Sequence, residues 1–473
     1  LAVDGDGDGI RGLLAESPAL EVLAGPPRQA ILTVPSVVRP GATAELRLAL
    51  VDALGNAGHP FVGTLELVAR ALPCAADDPD LACDPAAKLA LPSGVTLAAG
   101  DRGSIAVQLI APERGVFLID AVGPEGLAGR SNPLVVSATL PRLLWGDLHG
   151  HSQLSDGTGT PADYFRYARD IAALDVVALT DHDHWGLQPL ALHPELWREI
   201  RDEVERFHDS GRFVTLLGYE WTSWLYGHRH VLYFAGDGEV LSSVDPATET
   251  PQQLWDALRG EPALTFAHHS AGGPIATDWT IPPDPELEPV TEIVSVHGSS
   301  EAEDSPAPIY DPMPGNFVRD VLDRGYVLGF IGSGDSHDGH PGLAGLAAPS
   351  GGLAALWATE LTREGVLEAL RARRVYATNG PRILLQVALD GEPDGATVAP
   401  RAAGALEVLV VAPEILERLD VVRTGELIDS ASLDSRVHRL RWTLHDLAAG
   451  EAVYVRAVQR DGGAAWSSPF FVR

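Results

Sequence analysis

The chain has 473 residues, which is too long for one ordinary domain, so two or three domains are expected. It carries 34 basic and 65 acidic residues, and the formal net charge of −31 disfavours binding to the phosphate backbone of nucleic acid. No stretch of about 18 residues is uninterruptedly apolar, so we predict no transmembrane helix.

Residues 1–30 show no hydrophobic periodicity, and we predict that they form a linker or N-terminal extension. The segment Asp4–Gly9 alternates Asp and Gly and resembles the start of a calcium-binding loop, but a surface linker is the preferred interpretation. The chain begins at Leu1, so either a signal peptide has been removed or the start has been trimmed.

The two cysteines of the chain, Cys74 and Cys83, flank a stretch rich in Asp, Ala and Pro that is predicted to be a loop. A local disulfide fits this spacing in an oxidising compartment, and two free thiols are the alternative. We therefore expect an extracytoplasmic protein, either periplasmic or secreted. The spacing is not that of a paired-cysteine zinc motif, so no structural zinc site is expected here.

Residues 31–140 are predicted to form a β-sandwich domain, because short apolar runs alternate with turns rich in Gly, Pro and Asp. The runs are Ala30–Val34, Ala44–Leu50, Gly63–Ala69, Gly103–Ile110 and Gly115–Val122. We find no cluster of catalytic residue types within them.

Residues 141–380 instead alternate between predicted strands and predicted helices, which is typical of a parallel α/β barrel or open sheet. The predicted strands are Leu143–Leu148, Val176–Thr180, Phe213–Gly218, Ala263–Ala267, Glu292–Val296 and Val327–Gly332. The predicted helices are Pro161–Ala172, Pro194–Phe207, Pro251–Arg259, Asn316–Asp323 and Arg363–Arg373. Thr160 and Thr250 each precede a proline, a pairing that favours the start of a helix.

Residues 381–473 return to short apolar runs and are predicted to form a second, small β domain packed on the barrel, with a structural role. The runs are Ile383–Leu389, Leu406–Val411, Arg418–Arg423, Arg439–Leu444 and Val453–Gln459.

Nearly every predicted strand of residues 141–380 ends in a side chain that can bind a metal ion. The candidates are His149, His151, Asp156, His182, Glu220, His268, His297, Asp335 and His337. A single histidine at a strand end is more often structural, but six strand ends with such groups indicate a shared site. In parallel α/β folds the carboxyl ends of the strands meet in one pocket, and imidazole with carboxylate suits zinc, manganese or iron.

Four separated motifs resemble those of the polymerase and histidinol phosphatase (PHP) superfamily. They are Trp145–Ser152, Ser155–Gly157, Thr180–Asp183 and Gly334–His337. The segment Arg371–Gly380 also resembles a bacterial PHP-like family of largely unassigned function. The resemblance implies a distorted (β/α)7 PHP-type barrel, here flanked by N-terminal and C-terminal β-sandwich-like domains, with the barrel at residues 141–380 between domains at 31–140 and 381–473.

The resemblance also implies two or three divalent ions, each with its own ligands. The implied ligands are His149, His151, Glu220 and Asp335 for the first ion, Glu220, His268 and His297 for the second, and Asp156, His182 and His337 for the third. His269 is the alternative to His268, because the family motif places one histidine at this pair of positions.

The resulting expectation is a metal-dependent hydrolase, with phosphoester hydrolysis by a hydroxide held between two ions as the preferred reaction. Arg229 is the candidate for holding a substrate anion, and His228 or His230 for protonating the leaving group. A structural role is an equal alternative for each of the three. The partner would be a small anionic ester; the sequence does not indicate an oligomeric state.

Two other functions compete with this expectation. The same metal site could hydrolyse carboxylic esters or carbamates, or the chain could be a non-catalytic binding module stabilised by metal. Six aromatic residues near the motifs could wall an apolar pocket, although core packing is the preferred interpretation. They are Trp145, Trp185, Trp221, Trp224, Trp279 and Tyr310.

Overall fold

The computed structural model describes residues 23–74, 78, 81, 83, 87–186 and 188–473, and before them only residues 2, 3, 5, 12 and 13. Most of the predicted linker, including nearly all of the segment Asp4–Gly9, therefore lies outside the described residues. Cys74 and Cys83 form a disulfide with their Cα atoms 5.6 Å apart, so the alternative of two free thiols does not hold. Of the helices that are described, none has the length and apolar character needed to cross a membrane.

The N-terminal part of the described chain is built from short strands. These are β1 (Ala2–Val3), β2 (Gly12–Leu13), β3 (Gln29–Thr33), β4 (Val37–Val38), β5 (Thr43–Val51), β6 (Gly63–Ala71), β7 (Gly94–Leu97), β8 (Ser104–Ile110), β9 (Gly115–Val122), β10 (Ala128–Arg130) and β11 (Leu134–Val136). Strands β3, β5 and β8 form one sheet, and β4, β6, β7, β9, β10 and β11 form another. Side chains of both sheets share one buried apolar cluster, as two packed sheets require.

The middle of the chain holds the five α-helices among the described residues. They are α1 (Pro161–Asp170), α2 (Pro194–Phe207), α3 (Pro251–Leu258), α4 (Val318–Asp323) and α5 (Arg363–Arg371). The strands of this part are β12 (Arg142–Asp147), β13 (Val176–Leu179), β14 (Val214–Trp221), β15 (Arg229–Tyr233), β16 (Ala263–Ala267), β17 (Val290–Ser295), β18 (Gly298–Ser299), β19 (Gly329–Gly332), β20 (Leu353–Ala358) and β21 (Val375–Thr378). Thr160 and Thr250 cap α1 and α3 as predicted, each accepting a backbone hydrogen bond from the third helical residue.

The last part of the chain is again formed of strands. They are β22 (Leu384–Leu389), β23 (Glu392–Pro393), β24 (Thr397–Val398), β25 (Arg401–Val411), β26 (Leu416–Arg423), β27 (Glu426–Ser432), β28 (Val437–Leu447), β29 (Ala452–Gln459), β30 (Ala464–Ser467) and β31 (Phe470–Val472). Strand β30 pairs with β21, and the central sheet therefore continues into this part of the chain along the path β16-β15-β14-β13-β12-β20-β21-β30-β29-β26-β27. Strands β22, β23, β25 and β28 form a separate sheet.

The fold is mixed α/β and rich in sheet, and its described sheets are not closed, so the predicted (β/α)7 barrel is not shown. Strand β15, which the sequence did not predict, explains part of the difference. It pairs antiparallel with β14 and with β16. Only residues 222–228 connect β14 to β15, which is too short for the helical crossover that a parallel neighbour needs.

Candidate metal centre

The strand directions bring the predicted ligands to one edge of the central sheet. Strands β12, β13 and β14 are parallel, and β16 runs in the direction of β14 because β15 reverses between them. Strand β17 lies parallel to β19 in a neighbouring sheet. A cavity of about 220 Å³ lies at these ends, and eight of the nine predicted ligands line it. The ninth, His149, is fully buried.

Four of the nine side chains, which we name the deep group, are at most 2% exposed. They are His149, His151, Glu220 and Asp335, the set predicted for the first ion. Nε2 of His149 lies 3.2 Å from Nε2 of His151, 3.5 Å from Oε2 of Glu220 and 3.1 Å from Oδ1 of Asp335. Nε2 of His151 lies 3.4 Å from the same Glu220 oxygen and 3.5 Å from the same Asp335 oxygen.

The spacing within the deep group fits a bound cation. Ligand atoms at about 2.0–2.1 Å from a zinc-sized ion in tetrahedral geometry lie about 3.3–3.4 Å from one another. The five distances above run from 3.1 to 3.5 Å. His149, His151 and Asp335 form one group that could hold a metal ion, and Glu220 joins His149 in another group with His230 and His268. The described lining of the cavity contains no Lys or Arg, so a cation is the natural partner of these side chains.

Three further side chains, which we name the mouth group, lie nearer to solvent. They are Asp156, His182 and His337, the set predicted for the third ion. Oδ1 of Asp156 lies 3.4 Å from Nε2 of His182 and 3.4 Å from Nε2 of His337. Nδ1 of His151 is 3.8 Å from the same oxygen, so His151 stands between the two groups.

The residues predicted for the second ion share the cavity, but His268 and His297 approach different carboxylates. Nε2 of His268 is 3.9 Å from Oε1 of Glu220, and Nε2 of His297 is 2.8 Å from Oδ2 of Asp335. His269 also lines the cavity, and its backbone takes a left-handed φ of +33°, which L residues adopt only rarely.

Two buried carboxylate oxygens of the site lie close to imidazole nitrogens without forming hydrogen bonds to them. Oε1 of Glu220 is 2.6 Å from Nδ1 of His228, and Oδ2 of Asp335 is 2.8 Å from Nε2 of His297. Neither oxygen has an aligned hydrogen-bond donor among the described residues. Buried acceptors of this kind are costly, and a shared cation would satisfy them. The clusters of His, Glu and Asp therefore fit a metal site.

The outer nitrogens of three imidazoles are held by hydrogen bonds that leave Nε2 directed into the groups. Nδ1 of His149 donates to the buried carboxylate of Glu292 at 3.0 Å. The Thr222 hydroxyl donates to a backbone carbonyl, so its oxygen accepts from Nδ1 of His182 at 2.7 Å. Nδ1 of His337 donates to the Asp335 carbonyl at 3.0 Å. This arrangement fixes the tautomer that a metal ligand needs.

The charges of the site act strongly on one another. Burial raises the pKa of Glu220 and Asp335, but the surrounding imidazoles outweigh it and hold both pKa values well below the usual range. Burial lowers the pKa of His182, yet the Glu220 and Asp156 carboxylates raise it to about 10. Burial raises the pKa of Glu292 to about 7, a value at which this carboxyl can serve as the partner of His149.

Of the three predicted catalytic side chains, Arg229 and His230 do not reach the cavity. Arg229 is fully buried, its Nε donates to Glu288 at 2.9 Å, and its guanidinium stacks over Trp255. The structure therefore corrects its predicted role in holding a substrate anion. Nε2 of His230 lies 2.7 Å from Nδ1 of His268, and His230 belongs with His149, Glu220 and His268 to a buried group that could hold a metal ion.

The third predicted catalytic residue, His228, does line the cavity. Its Nδ1 faces Glu220, and its Nε2 has no hydrogen-bond partner among the described residues. A proton-donating role for His228 therefore stays a prediction.

Several buried residues that hold the site were not recognised in the sequence. Besides Glu292 and Thr222, Asp147 accepts hydrogen bonds from the backbone N–H groups of Gly334 and Gly342, each at 2.7 Å. A Cβ at Gly334 would lie 2.4 Å from the Asp147 carboxylate, so this close approach requires glycine. The sequence did contain one sign of these residues: Glu292 lies within an apolar strand. A carboxylate is buried in such a place only when it has a partner.

The aromatic residues near the motifs divide into two sets. Three are buried in the core: Trp145, Trp221 and Trp279. The other three are exposed and line the cavity: Trp185, Trp224 and Tyr310. Core packing thus accounts for half of them, and the pocket interpretation for the rest.

Comparison with known proteins finds similarity to a family model and to relatives that have no assigned function. Residues 181–309 and 341–390 match the family model described as "Protein of unknown function (DUF3604)". An uncharacterised protein of Chlamydia pneumoniae is 28% identical over 364 residues, which cover 70% of this chain and 57% of that protein. An uncharacterised protein of Chlamydia muridarum is 26% identical over 371 residues, covering 71% and 58%. The chain thus spans less than two thirds of the length of these relatives.

Two solved structures show distant similarity. One is a two-domain protein of Bacteroides vulgatus described as containing a predicted PHP-like metal-dependent phosphoesterase, with a TM-score of 0.39 and 17% identity over 70% of this chain and 96% of that one. The other is a Paenibacillus cycloisomaltooligosaccharide glucanotransferase, with a TM-score of 0.25 and 11% identity over 93% of this chain and 72% of that one. These TM-scores are too low to establish a common fold.

Proposed function

We propose that this protein is a metal-dependent hydrolase and that it cleaves phosphoesters of small molecules. The observation that carries the proposal is the convergence of the predicted ligands, in which Nε2 of His149 and Nε2 of His151 lie 3.1–3.5 Å from each other and from the oxygens of Glu220 and Asp335. The motif resemblance to the PHP superfamily supports the same reaction class. It also implies a (β/α)7 barrel, and a cavity at the strand ends fits a distorted, unclosed form of that fold.

We assign two or three divalent ions, of zinc, manganese or iron, to the predicted ligands. The deep group would hold the first, Glu220, His268 and His297 the second, and the mouth group the third. We prefer His268 to His269 because its outer nitrogen is already held by His230. When bound, such ions lower the pKa of water toward about 7 and neutralise negative charge on the reacting group.

The side chains of the protein would orient the metal ligands and supply one proton to the leaving group. Glu292, Thr222 and His230 hold the ligand imidazoles in one orientation. His228 lies in the lining with a free Nε2 and would hold the proton that the leaving oxygen takes up. The described residues that line the cavity include no Lys or Arg, so the ions would have to compensate the charge of the phosphoryl group.

The absence of basic side chains from the described lining also favours a second candidate, hydrolysis of a carboxylic ester or carbamate at the same site. A neutral carbonyl group needs no cationic clamp, and the reaction requires the same water and the same ligands.

One comparison of substrates tests both candidates. The protein is stripped of metal, reloaded with zinc, manganese or ferrous iron, and assayed with p-nitrophenyl phosphate and p-nitrophenyl acetate. We expect metal-dependent cleavage of the phosphate and loss of that activity in Asp335→Ala. His445→Ala, which changes an exposed histidine on β28, is the matched control and should retain activity. Cleavage of the acetate alone would replace the phosphoester proposal with its rival.

We further propose an extracytoplasmic location, which the disulfide between Cys74 and Cys83 supports because such bonds persist in oxidising compartments. Fractionation of cells that express the natural gene would test it, and recovery of the protein with reduced thiols in the cytoplasm would contradict it.

A further inference from the structure

The distribution of tryptophan in this protein is uneven. The chain has ten tryptophans, and all but two are buried or half-buried. The two exposed ones, Trp185 and Trp224, are 43% and 53% exposed, and both line the cavity that holds the deep and mouth groups. Large apolar side chains left in water beside a polar site commonly mark a surface that a ligand covers.

The two rings form one apolar wall next to the mouth group. Their centroids are 5.3 Å apart with an angle of 35° between the planes, so the two indoles lie against each other at the cavity. The Trp185 ring lies 6.4 Å from the ring of His182, which ties this wall to the mouth group. A substrate whose scissile bond lies among the ligands would therefore extend its organic part over the two indoles.

The other residues that line the cavity indicate which charge the organic part of the substrate can carry. Tyr310 is 53% exposed, and its ring centroid lies 5.2 Å from that of His297. Pro274 and Ile275 add apolar surface, and the described lining contains no Lys or Arg. A second anionic group on the substrate would therefore have no compensating side chain, whereas an uncharged ring would have three aromatic faces to contact.

We propose that Trp185 and Trp224 form the subsite for the leaving group and select an uncharged, ring-bearing alcohol. The inference rests on the proposed hydrolase function and adds the substrate class to it. Esters of small acyclic alcohols, and esters whose alcohol carries a second anionic group, are then poor substrates.

The first test measures how each substrate responds to loss of an indole. For Trp224→Ala we expect kcat/KM to fall roughly 3- to 10-fold with 2-naphthyl phosphate, mainly through KM, and to stay unchanged with glycerol phosphate. Trp224→Phe should restore most of the loss. Leu225→Ala is the matched control, because Leu225 is 81% exposed and adjacent but does not line the cavity. Equal losses on both phosphates would overturn the proposal.

A second test does not depend on turnover. Binding of 2-naphthol, the ring without the ester, is followed by quenching of tryptophan fluorescence in the wild type and in Trp185→Ala and Trp224→Ala. Saturable binding that weakens in both variants supports the subsite even if no phosphoester is cleaved, so it separates this inference from the proposed function. Binding that is unchanged in both variants would overturn the subsite.

Two further comparisons complete the test. With phenyl phosphate and 4-carboxyphenyl phosphate, we expect the added carboxylate to raise KM, and an equal KM would contradict the selection of an uncharged ring. Light scattering measures the mass of wild type and Trp224→Ala. A dimer that dissociates in the variant would mean that the indoles cover an interface between copies, which would overturn the proposal.

Discussion

The deep group and the mouth group use the same side-chain chemistry but differ in how firmly the protein holds them. The side chains of His149, His151, Glu220 and Asp335 are at most 2% exposed, while those of Asp156 and His337 are 34% and 38% exposed. A buried carboxylate, Glu292, backs the deep group, whereas a hydroxyl and a backbone carbonyl back the mouth group. We infer that the deep group binds an ion tightly and that the mouth group exchanges its ion more readily.

The largest effect is expected from removing a deep ligand. His149→Ala or Asp335→Ala leaves a buried, incomplete cluster, so metal content and activity should be lost together. We expect kcat/KM to fall by more than the ~10–100-fold that is typical of losing an outer partner of a ligand. Elemental analysis with parallel assays measures both quantities. Unchanged metal stoichiometry in both variants would contradict the ligand assignment.

Removing a mouth ligand tests whether the mouth group binds its ion more weakly than the deep group does. His337→Ala is expected to lose the most weakly bound ion and retain the others, with kcat/KM reduced about 100-fold. Metal titration followed by elemental analysis should show one ion fewer at saturation. Loss of every ion in this variant would show that the two groups bind their ions as one unit, which would contradict the difference in affinity that we infer.

Glu292→Gln tests whether the buried carboxylate accounts for the tighter binding expected of the deep group. The amide keeps the shape of the side chain but withdraws the charge behind His149, so affinity for the deep ion should fall about 10–100-fold. Competition with a chelator measures that affinity. Glu113→Gln, at an exposed position, is the control and should leave it unchanged. An affinity equal to that of the wild type would assign Glu292 a packing role only.

The sequence predicted the positions of those ligands that the direction of the strands alone determines. The ligands at the carboxyl ends of β12, β13 and β14 could be predicted to meet because parallel strands end at the same side of a sheet. The hairpin from β14 to β15 could not be predicted, because a short buried apolar segment is equally compatible with a helix and with a strand. That hairpin turns Arg229 toward Glu288 and His230 toward His268, which favours the structural role that was the alternative for both residues.

The pH dependence of metal uptake tests the charges of the mouth group. In the metal-free protein, carboxylates raise the pKa of His182 to about 10, above its usual value, so the ring carries a proton at pH 7. An ion must displace that proton, and affinity should therefore rise with pH, by about tenfold per unit if one proton is released. Calorimetry in two buffers of different ionisation enthalpy counts the protons. Metal binding at pH 7 without proton release would contradict this account.

The smallest effect is expected from Thr222→Val, which removes only the hydroxyl that orients His182. Valine has a similar shape, so packing is retained while Nδ1 of His182 loses its acceptor, and the imidazole is free to take the other tautomer. Affinity for the mouth ion should fall by about tenfold, and affinity for the deep ion should not change. A chelator titration with resolved phases measures both, with Thr43→Val at an exposed site of β5 as control. A contact that acts through one imidazole affects only the ion which that imidazole binds. An equal loss of affinity for both ions would therefore mean that Thr222 stabilises the cavity as a whole.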